Sequence, residues 1–359
     1  MRKLNSKPSR SKRVLILCHV DLVPPGGVTV KRSDRMSCDW ITELDVLSTL
    51  SELGHEIEIC GVWNSASKVE VLINQFKPDV VFNLMEEFNG STDNEHSACG
   101  LIEMLGIPIT GASSKNLLIC RDKSLAKIIL KDNLVPTPNH FTVSVKEKIT
   151  KEHEGKLNFP VIVKCLDLEA STGLSKSSVV TSDEKLKERV EWIQRKYKSS
   201  VICEEFIEGK DIYLGVIINK HGILTLPPWK VSYKNSEDPD KEIYGEREKW
   251  SEISRKKKGI TTGPLRLSED KIKEVERVGL ETIKALGLTG YIRIDIRLSK
   301  DWIPYVLEVN PNPNIAKDDE FAESAKYMGI PYKDLLDIIT FEKPFQRYIS
   351  KTQKLREAS

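Results

Sequence analysis

The sequence predicts an α/β protein: an N-terminal sheet built from alternating strands and helices, followed by a region of different order that mixes strands with helices. Three observations point there. From residue 14 to 106, short apolar strands alternate with amphipathic helical stretches, the pattern of a sheet covered by helices. From about residue 116 the order changes, and runs of strands sit between single helices. A chain of 359 residues, 39% apolar and 30% charged, also has enough material for two or three packed units.

Residues 1–12 read as a disordered basic arm, and 14–18 as a short buried strand. The loop that follows carries Pro24, Pro25, Gly26 and Gly27. A helix is expected over 39–53, with Ile41, Leu44, Leu47 and Leu50 on one face and Gly54 as its stop. Strands are expected at Glu56–Val62 and 79–83, and a helix through Leu101 and Leu105 ends at Gly106. These elements form the first unit, 13–115. A different region begins near Asn116: it opens with a helix over 122–131 and passes Pro136 and Pro138 into a strand. Strands at 159–164 and 176–181 then flank a polar loop holding Ser171, Thr172 and Gly173, and an amphipathic helix covers 183–196. Strand Val201–Glu205 follows, and strands dominate from Gly209 to Trp229. Residues 231–262 are charged and poor in apolar side chains, which predicts a long mobile surface loop. Helix Glu269–Leu286, two strands and two short helices precede a basic tail, 343–359.

Charge and composition exclude several function classes. Lys and Arg total 55 against 53 Asp and Glu, yet six of the bases lie in residues 1–13 and five in 343–359, leaving an acidic body. Such a body argues against a broad nucleic-acid surface, which needs clustered Lys and Arg. No apolar run reaches the ~18 residues of a membrane span. The run at 14–18 is also shorter than the roughly 7–15 apolar residues of a secretory signal, so a cytoplasmic protein is expected. The seven cysteines are scattered singly, which fits reduced thiols better than a disulfide scaffold. His96 and Cys99 share H-x-x-C spacing, but no second pair completes a zinc site.

The most informative stretch is 291–298, Tyr-Ile-Arg-Ile-Asp-Ile-Arg-Leu, followed five residues later by 304–310, Pro-Tyr-Val-Leu-Glu-Val-Asn. The short connection predicts an antiparallel hairpin. Alternation puts Arg293, Asp295 and Arg297 on one face of the first strand. On the second, Tyr305, Leu307 and Val309 are expected opposite Val306, Glu308 and Asn310. Asp295, Glu308 and Asn310 then project toward one point, a hard-oxygen set suited to Mg²⁺. The alternative is a solvated sheet face with ordinary cross-strand Arg–Asp pairing. Lys164 ends an apolar strand and Lys123 starts a helix; each is either a snorkelling surface lysine or a charge aimed at phosphate. The small hydroxyl-bearing loop after Lys164 suits backbone contacts to phosphate oxygens, or is a plain turn.

In order along the chain stand Val-Phe-Asn at 81–83, Gly-Leu-Ile-Glu-Met-Leu-Gly-Ile-Pro at 100–108, Thr110-Gly111, and Asp-Lys-Ser at 122–124. Phe-Pro-Val-Ile-Val-Lys at 159–164, Glu-Glu-Phe-Ile-Glu-Gly at 204–209, Arg-Ile-Asp at 293–295 and Leu-Glu-Val-Asn at 307–310 complete the series. With these motifs the chain, from about residue 80 to 340, resembles the ATP-grasp superfamily and within it the D-alanine–D-alanine ligases. The resemblance implies an ATP-grasp fold of three units: an N-terminal α/β sheet, 13–115, followed by two α+β subdomains that clasp ATP, the second unit 116–200 and the third 201–342. It implies that Lys123 and Lys164 contact ATP phosphates, that Ser171 and Thr172 cover them, and that Ser171 also takes part in catalysis. Glu204, Glu205, Phe206 and Ile207 match the segment that bonds adenine mainly by backbone, and Asp211 stands where the family has a ribose-binding Glu. Lys249, with Trp250, resembles the Lys–aromatic pair of a mobile loop. Asp295, Glu308 and Asn310 would hold two Mg²⁺ ions, or Mn²⁺, and Arg293 would stabilise the acyl phosphate and the tetrahedral oxyanion. The implied reaction joins a small-molecule carboxylate to an amine through an acyl phosphate. A homodimer through the N-terminal sheet is implied by the same analogy.

The substrate motifs depart from the family. Its Gly-Gly-x-Ser-x-Glu loop reads Gly-Gly-Val-Thr-Val-Lys at 26–31, placing Lys31 where an ammonium-binding acid is expected. Its Phe-Asn-Ala-Leu-His reads Phe-Asn-Leu-Met-Glu at 82–86, and the stretch after Asn310 places Asn314 and Asp319 where a glycine and a carboxylate-binding serine are expected. These changes predict a pocket of altered sign, with Lys31 facing an acid on the acyl donor and Asp319 or Glu86 a cation on the acceptor. The other reading is that Glu43 or another acid replaces the lost one. Two further functions are open: amino-acid tailing of a peptide or metabolite, and a nucleotide-binding regulator without catalysis.

Overall fold

The computed structural model describes residues 11–166, 168, 173–245 and 251–349. Strand β1 (Arg13–His19) is the middle of a parallel sheet, flanked by β2 (Glu56–Val62) and β3 (Val80–Asn83). It is apolar throughout because both faces are covered. Val14, Ile16 and Cys18 pack with Val46 and Leu50 of α1 (Ile41–Glu52). Leu15 and Leu17 pack with α2 (Ala66–Phe76) and α3 (Glu95–Met104). Helix α1 departs from its expected apolar face: Glu43, Asp45 and Thr49 are buried beside Val46 and Leu50, while Ile41, Leu44 and Leu47 are only half-buried. Asp45 is satisfied by the Arg35 fork at 3.0 and 2.5 Å and by the Lys317 N–H at 2.9 Å.

Helices α4 (Ser114–Arg121) and α5 (Lys123–Asp132) follow. Asp122 caps α5, accepting from the N–H groups of Ser124 at 3.0 Å and Leu125 at 2.9 Å, which fixes Lys123 in the first turn. Cys120, Ala126 and Leu130 of this pair join the core of the third sheet. The second sheet is antiparallel, in the order β4 (His140–Val143), β7 (Val201–Glu205), β5 (Val161–Cys165), β6 (Val179–Val180). Its core is closed by Leu186, Val190 and Ile193 of α6 (Asp183–Tyr197). Since β7 pairs with both β4 and β5, this sheet extends to Glu205, past the expected division at residue 200.

The third sheet runs β11 (Ile260–Pro264), β10 (Trp229–Tyr233), β8 (Gly209–Asn219), β12 (Gly290–Ser299), β13 (Pro304–Asn310), with β9 (Gly222–Thr225) on β8. The stretch expected to be one long loop is partly regular. Val231 pairs with Thr262 and Tyr233 with Ile260, and α7 (Glu252–Lys258) leads into β11. Pairing supplies backbone partners that apolar content alone does not foretell. Helix α8 (Glu269–Leu286) lays Ile272, Val275 and Val278 on Ile292, Ile294 and Ile296 of β12. Gly290 opens β12 at φ 74°, where an added Cβ would lie 1.9 Å from the Gly111 carbonyl oxygen, so only glycine lets β12 start against the first unit.

The predicted hairpin forms, with one correction. Asp295 pairs with Glu308 and Ile296 with Val306, so Leu307 is an extra residue, a β-bulge. The bulge lets Val306 and Val309 both face the core, while Glu308 and Asn310 keep the face of Asp295 and Arg293. Strict alternation had put Val306 on the acidic side; its complete burial is the reason for the bulge. Helices α9 (Glu320–Tyr327) and α10 (Tyr332–Phe341) return to the first sheet, packing Ala322, Ala325, Leu335 and Ile338 into the core of Val14 and Ile16. Among the described residues no helix is long and apolar enough to cross a membrane. All seven cysteines are free, and only Cys38 is not fully buried.

Candidate active site

The three sheets border one cleft of about 1150 Å³. At one end lie Phe206, Ile207 and Asp211, where β7 passes into β8. Glu204, at the end of β7, sends its side chain inward: its carboxylate lies 2.8 Å from Lys164 Nζ and 3.5 Å from Lys127 Nζ, and is 1% exposed. Burial alone would raise its pKa, but the two lysines hold it down at about 2. Burial pulls the Lys127 ammonium below its ordinary value, opposed by Glu204. Lys127 also donates to Leu307 O at the bulge and, at 3.5 Å, to Thr137 Oγ1. It escaped the sequence reading. Its signal was a lysine on the same face of α5 as Ala126 and Leu130, four residues after Lys123. Glu205 is different: its side chain accepts from Asn139 at 2.9 Å and Asn158 at 2.8 Å, leaving only its backbone for the cleft.

Asp211 pairs with Arg297 at 2.5 Å and accepts from the Tyr233 hydroxyl at 3.3 Å. Lys123 reaches from α5 to the Leu168 carbonyl at 3.3 Å, bridging toward the second sheet. Ser171, Thr172, Lys249 and Trp250 lie outside the described residues.

In mid-cleft, the hairpin brings Arg293 opposite Asn310 and Asp295 opposite Glu308. Arg293 grips Asp295 with two bonds of 2.7 and 3.0 Å, and its guanidinium lies 4.6 Å over the Tyr213 ring. The two side chains are 13% and 10% exposed; they pair along one strand rather than across strands, on a face that borders the cleft and where Glu308 and Asn310 are half-buried. Burial works against the Arg293 charge, and Asp295 more than restores it. Among the described residues no three His, Cys, Asp or Glu are grouped for a metal ion. The Asp295, Glu308 and Asn310 set is two carboxylates and an amide oxygen from directly paired strands. That donor set fits Mg²⁺, which takes few protein ligands and fills the rest with water and phosphate oxygens.

The far end is rich in acids. Glu43, Glu86, Asp319 and Glu320 line it. Glu43 is 3% exposed and its Oε2 has no hydrogen-bond partner. Burial raises its carboxyl to about 7, with Glu86 adding to the effect. Asp319, at the start of α9, buries an unpartnered Oδ1. Burial pushes its carboxyl well above the usual range, adjacent Glu320 pushes further, and Arg293 opposes. Asn314 accepts from Thr42 Oγ1 at 3.0 Å and from the Ala316 N–H at 2.9 Å. Lys31 is exposed and lies outside the cleft lining. A 3₁₀ turn, Arg32–Ser37, begins after it, and Arg32 and Arg35 reach the cleft instead, Arg35 anchored on Asp45 and Asp318. Glu43, the acid named as able to replace the one lost at Lys31, does line the cleft, although a buried acid on a helix breaks the apolar face that periodicity predicts.

The family described as D-ala D-ala ligase C-terminus matches residues 131–340. D-alanine–D-alanine ligase A of Clostridium perfringens is 32% identical over 251 residues, 70% of this chain and 77% of the relative. An uncharacterized protein, y4sG, of Sinorhizobium fredii is 27% identical over 299 residues, 81% of this chain and 84% of its own. In fold, the D-alanine–D-alanine ligase of Bacillus anthracis complexed with ATP superposes with a TM-score of 0.68 at 22% identity, covering 97% of this chain and 99% of that one. VanG D-Ala:D-Ser ligase of Enterococcus faecalis gives 0.65 at 18% identity, over 91% and 98%. Sequence match and shared architecture agree: the chain belongs to the D-alanine–D-alanine ligase family, ATP-dependent carbon–nitrogen ligases built on the ATP-grasp fold.

Proposed function

We propose that this protein spends ATP to join a carboxylate to an amine, and that its substrates are not a pair of D-alanines. The observation that carries the ligase reading is the register-paired set of Arg293, Asp295, Glu308 and Asn310 facing the same cleft as Lys164 and Glu204. In this reading Ile207 and its neighbours seat the adenine, Asp211 the ribose, and Lys123, Lys164 and, from outside the described residues, Ser171, Thr172 and Lys249 the phosphates. Asp295, Glu308 and Asn310 would hold Mg²⁺, which supplies charge neutralisation for phosphoryl transfer.

A donor carboxylate oxygen attacks the γ-phosphorus, and the bond to the bridging oxygen breaks to release ADP. The amine nitrogen then attacks the acyl carbon, phosphate departs with the electron pair of the C–O bond, and the nitrogen loses a proton to phosphate or water. Arg293 faces the oxyanion of the second step, a role in which a fixed donor is worth about 3–4 kcal/mol. No enzyme nucleophile is required, consistent with the buried, raised thiols of Cys18, Cys99 and Cys120.

The substrate reading rests on the acids. A carboxylate-bearing acceptor would meet Asp319, whose carboxyl already resists ionisation beside Glu320, and would add a third acid to a place that disfavours a second. An acceptor carrying a cation fits there instead, and Glu43 with Glu86 fits a second ammonium. The test is an ADP-release screen over D- and L-amino acids and diamines, singly and in pairs, with mass spectrometry of products. Efficient D-alanyl-D-alanine synthesis would refute the substrate reading. An absence of ADP release with every pair, from protein that binds nucleotide, would refute the ligase reading.

A further inference from the structure

Arg297 lies on the cleft side of β12, two residues past Asp295, and is 4% exposed. Its guanidinium serves four groups. Nε donates to Ile207 O at 3.0 Å, Nη1 meets Asp211 Oδ1 at 2.5 Å, and Nη2 donates to Asp240 O at 2.8 Å and Glu242 O at 3.0 Å. A planar fork with four fixed acceptors is a rigid strut, a task lysine cannot perform. It ties the segment 207–211 to the turn 240–242.

That turn presents the Glu242 side chain, which is 4% exposed. Its carboxylate takes Lys176 at 2.7 Å, Lys258 at 2.9 Å and Ser236 Oγ at 2.8 Å. Lys258 and Ser236 belong to the third unit, like Glu242. Lys176 does not: it comes from the β5–β6 connection of the second sheet, three residues after Gly173. The Lys176–Glu242 pair therefore closes one unit onto the other across the cleft. Lys176 is itself 70% exposed, so its long side chain can swing free, while Glu242 keeps Lys258 as a standing partner.

We propose that Lys176 and Glu242 form a latch holding the second sheet over a bound nucleoside triphosphate, and that Arg297 is the positioning residue linking the latch to the nucleoside end of the cleft. This rests on the nucleotide reading of the cleft and goes beyond the ligase chemistry, which needs none of the three. In that reading a triphosphate extends from the 207–211 end toward Lys164 on β5, in the second sheet, and a monophosphate stops short of it. The latch therefore favours the former alone, whereas Arg297, through residues 207–211, serves both.

The test is calorimetric titration of the full chain with Mg²⁺ and either AMP-PNP or AMP. Lys176→Met is expected to weaken AMP-PNP about fivefold, the scale of a partly exposed ion pair, and to leave AMP within about twofold. Glu242→Gln shows the same selectivity, and the double variant is no weaker than Glu242→Gln alone, since one bond is lost once. Arg297→Lys weakens both ligands. Unchanged AMP-PNP affinity in Lys176→Met, equal weakening of AMP, or additive effects in the double variant would overturn the latch. Should Glu242→Gln fail to fold, the exposed Lys176 variant decides alone. Wild-type protein that binds neither ligand would overturn the nucleotide reading itself, and the latch with it.

Discussion

Glu204→Gln tests the electrostatics of the nucleotide end most directly. The carboxylate faces two ammonium groups, at 2.8 Å and 3.5 Å, with almost no contact with water. At an effective dielectric of about 20, those separations correspond to about 6 and 5 kcal/mol of gross attraction. Removing the charge also removes its own desolvation cost, and Lys127 can shed its proton or lean on Leu307 O and Thr137 Oγ1. The net loss expected for breaking such a buried set is about 3–5 kcal/mol. The pH dependence has a definite sign. Glu204 titrates at about 2 in the folded chain against 4.5 in the reference state, so its contribution is complete above 4.5 and vanishes as pH falls toward 2. Urea unfolding of wild type and variant at a series of pH values, with amide exchange on β5 and β7, measures both quantities. The midpoints should differ most at neutral pH and converge near pH 2. Equal midpoints at neutral pH, or parallel acid losses in the two proteins, would refute the reasoning.

Asp295→Asn should abolish ADP release. It should also cost a few kcal/mol of stability, because it strips the partner from a mostly buried guanidinium, so a native circular-dichroism spectrum and a cooperative urea transition are the control for folding. Asp319→Ser should weaken diamine acceptors by about 10-fold or more and admit acceptors bearing a carboxylate, read as kcat/KM across the acceptor panel. Gly173→Ala should destabilise the β5–β6 connection by about 1–3 kcal/mol, seen as faster amide exchange there, because φ is 70° and the new Cβ would meet the Tyr197 ring at 2.7 Å. Glu43 titrates at about 7, and a cation binds its ionised form, so the KM for a cationic substrate should fall as pH rises through 7. That dependence should disappear in Glu43→Gln, while wild-type stability declines over the interval from 4.5 to 7 as the folded chain keeps a proton the unfolded one has lost.

Local pattern was enough for the strands and helices that carry the chemistry. The apolar run of β1 demanded cover on both faces, the alternation at 291–298 put Arg293, Asp295 and Arg297 on one side, and Asp122 marked where α5 begins. Such signals depend on residues two to four positions apart, which sequence displays directly. Only tertiary structure decided the rest. The bulge at Leu307 follows from which side of β13 meets α8, not from β13 itself. The partners of Glu204 and Arg297, and Lys176 among those of Glu242, come from segments roughly 40 to 90 residues away, so these side chains read as surface charge until the sheets close on them. Lys31 and Arg35 show the same limit: four residues apart in a polar loop, only Arg35 reaches the cleft, because Asp45 and Asp318 are folded there to receive it. Burial turns these charges from solvated decoration into a fixed field, and burial is a property of the assembled chain.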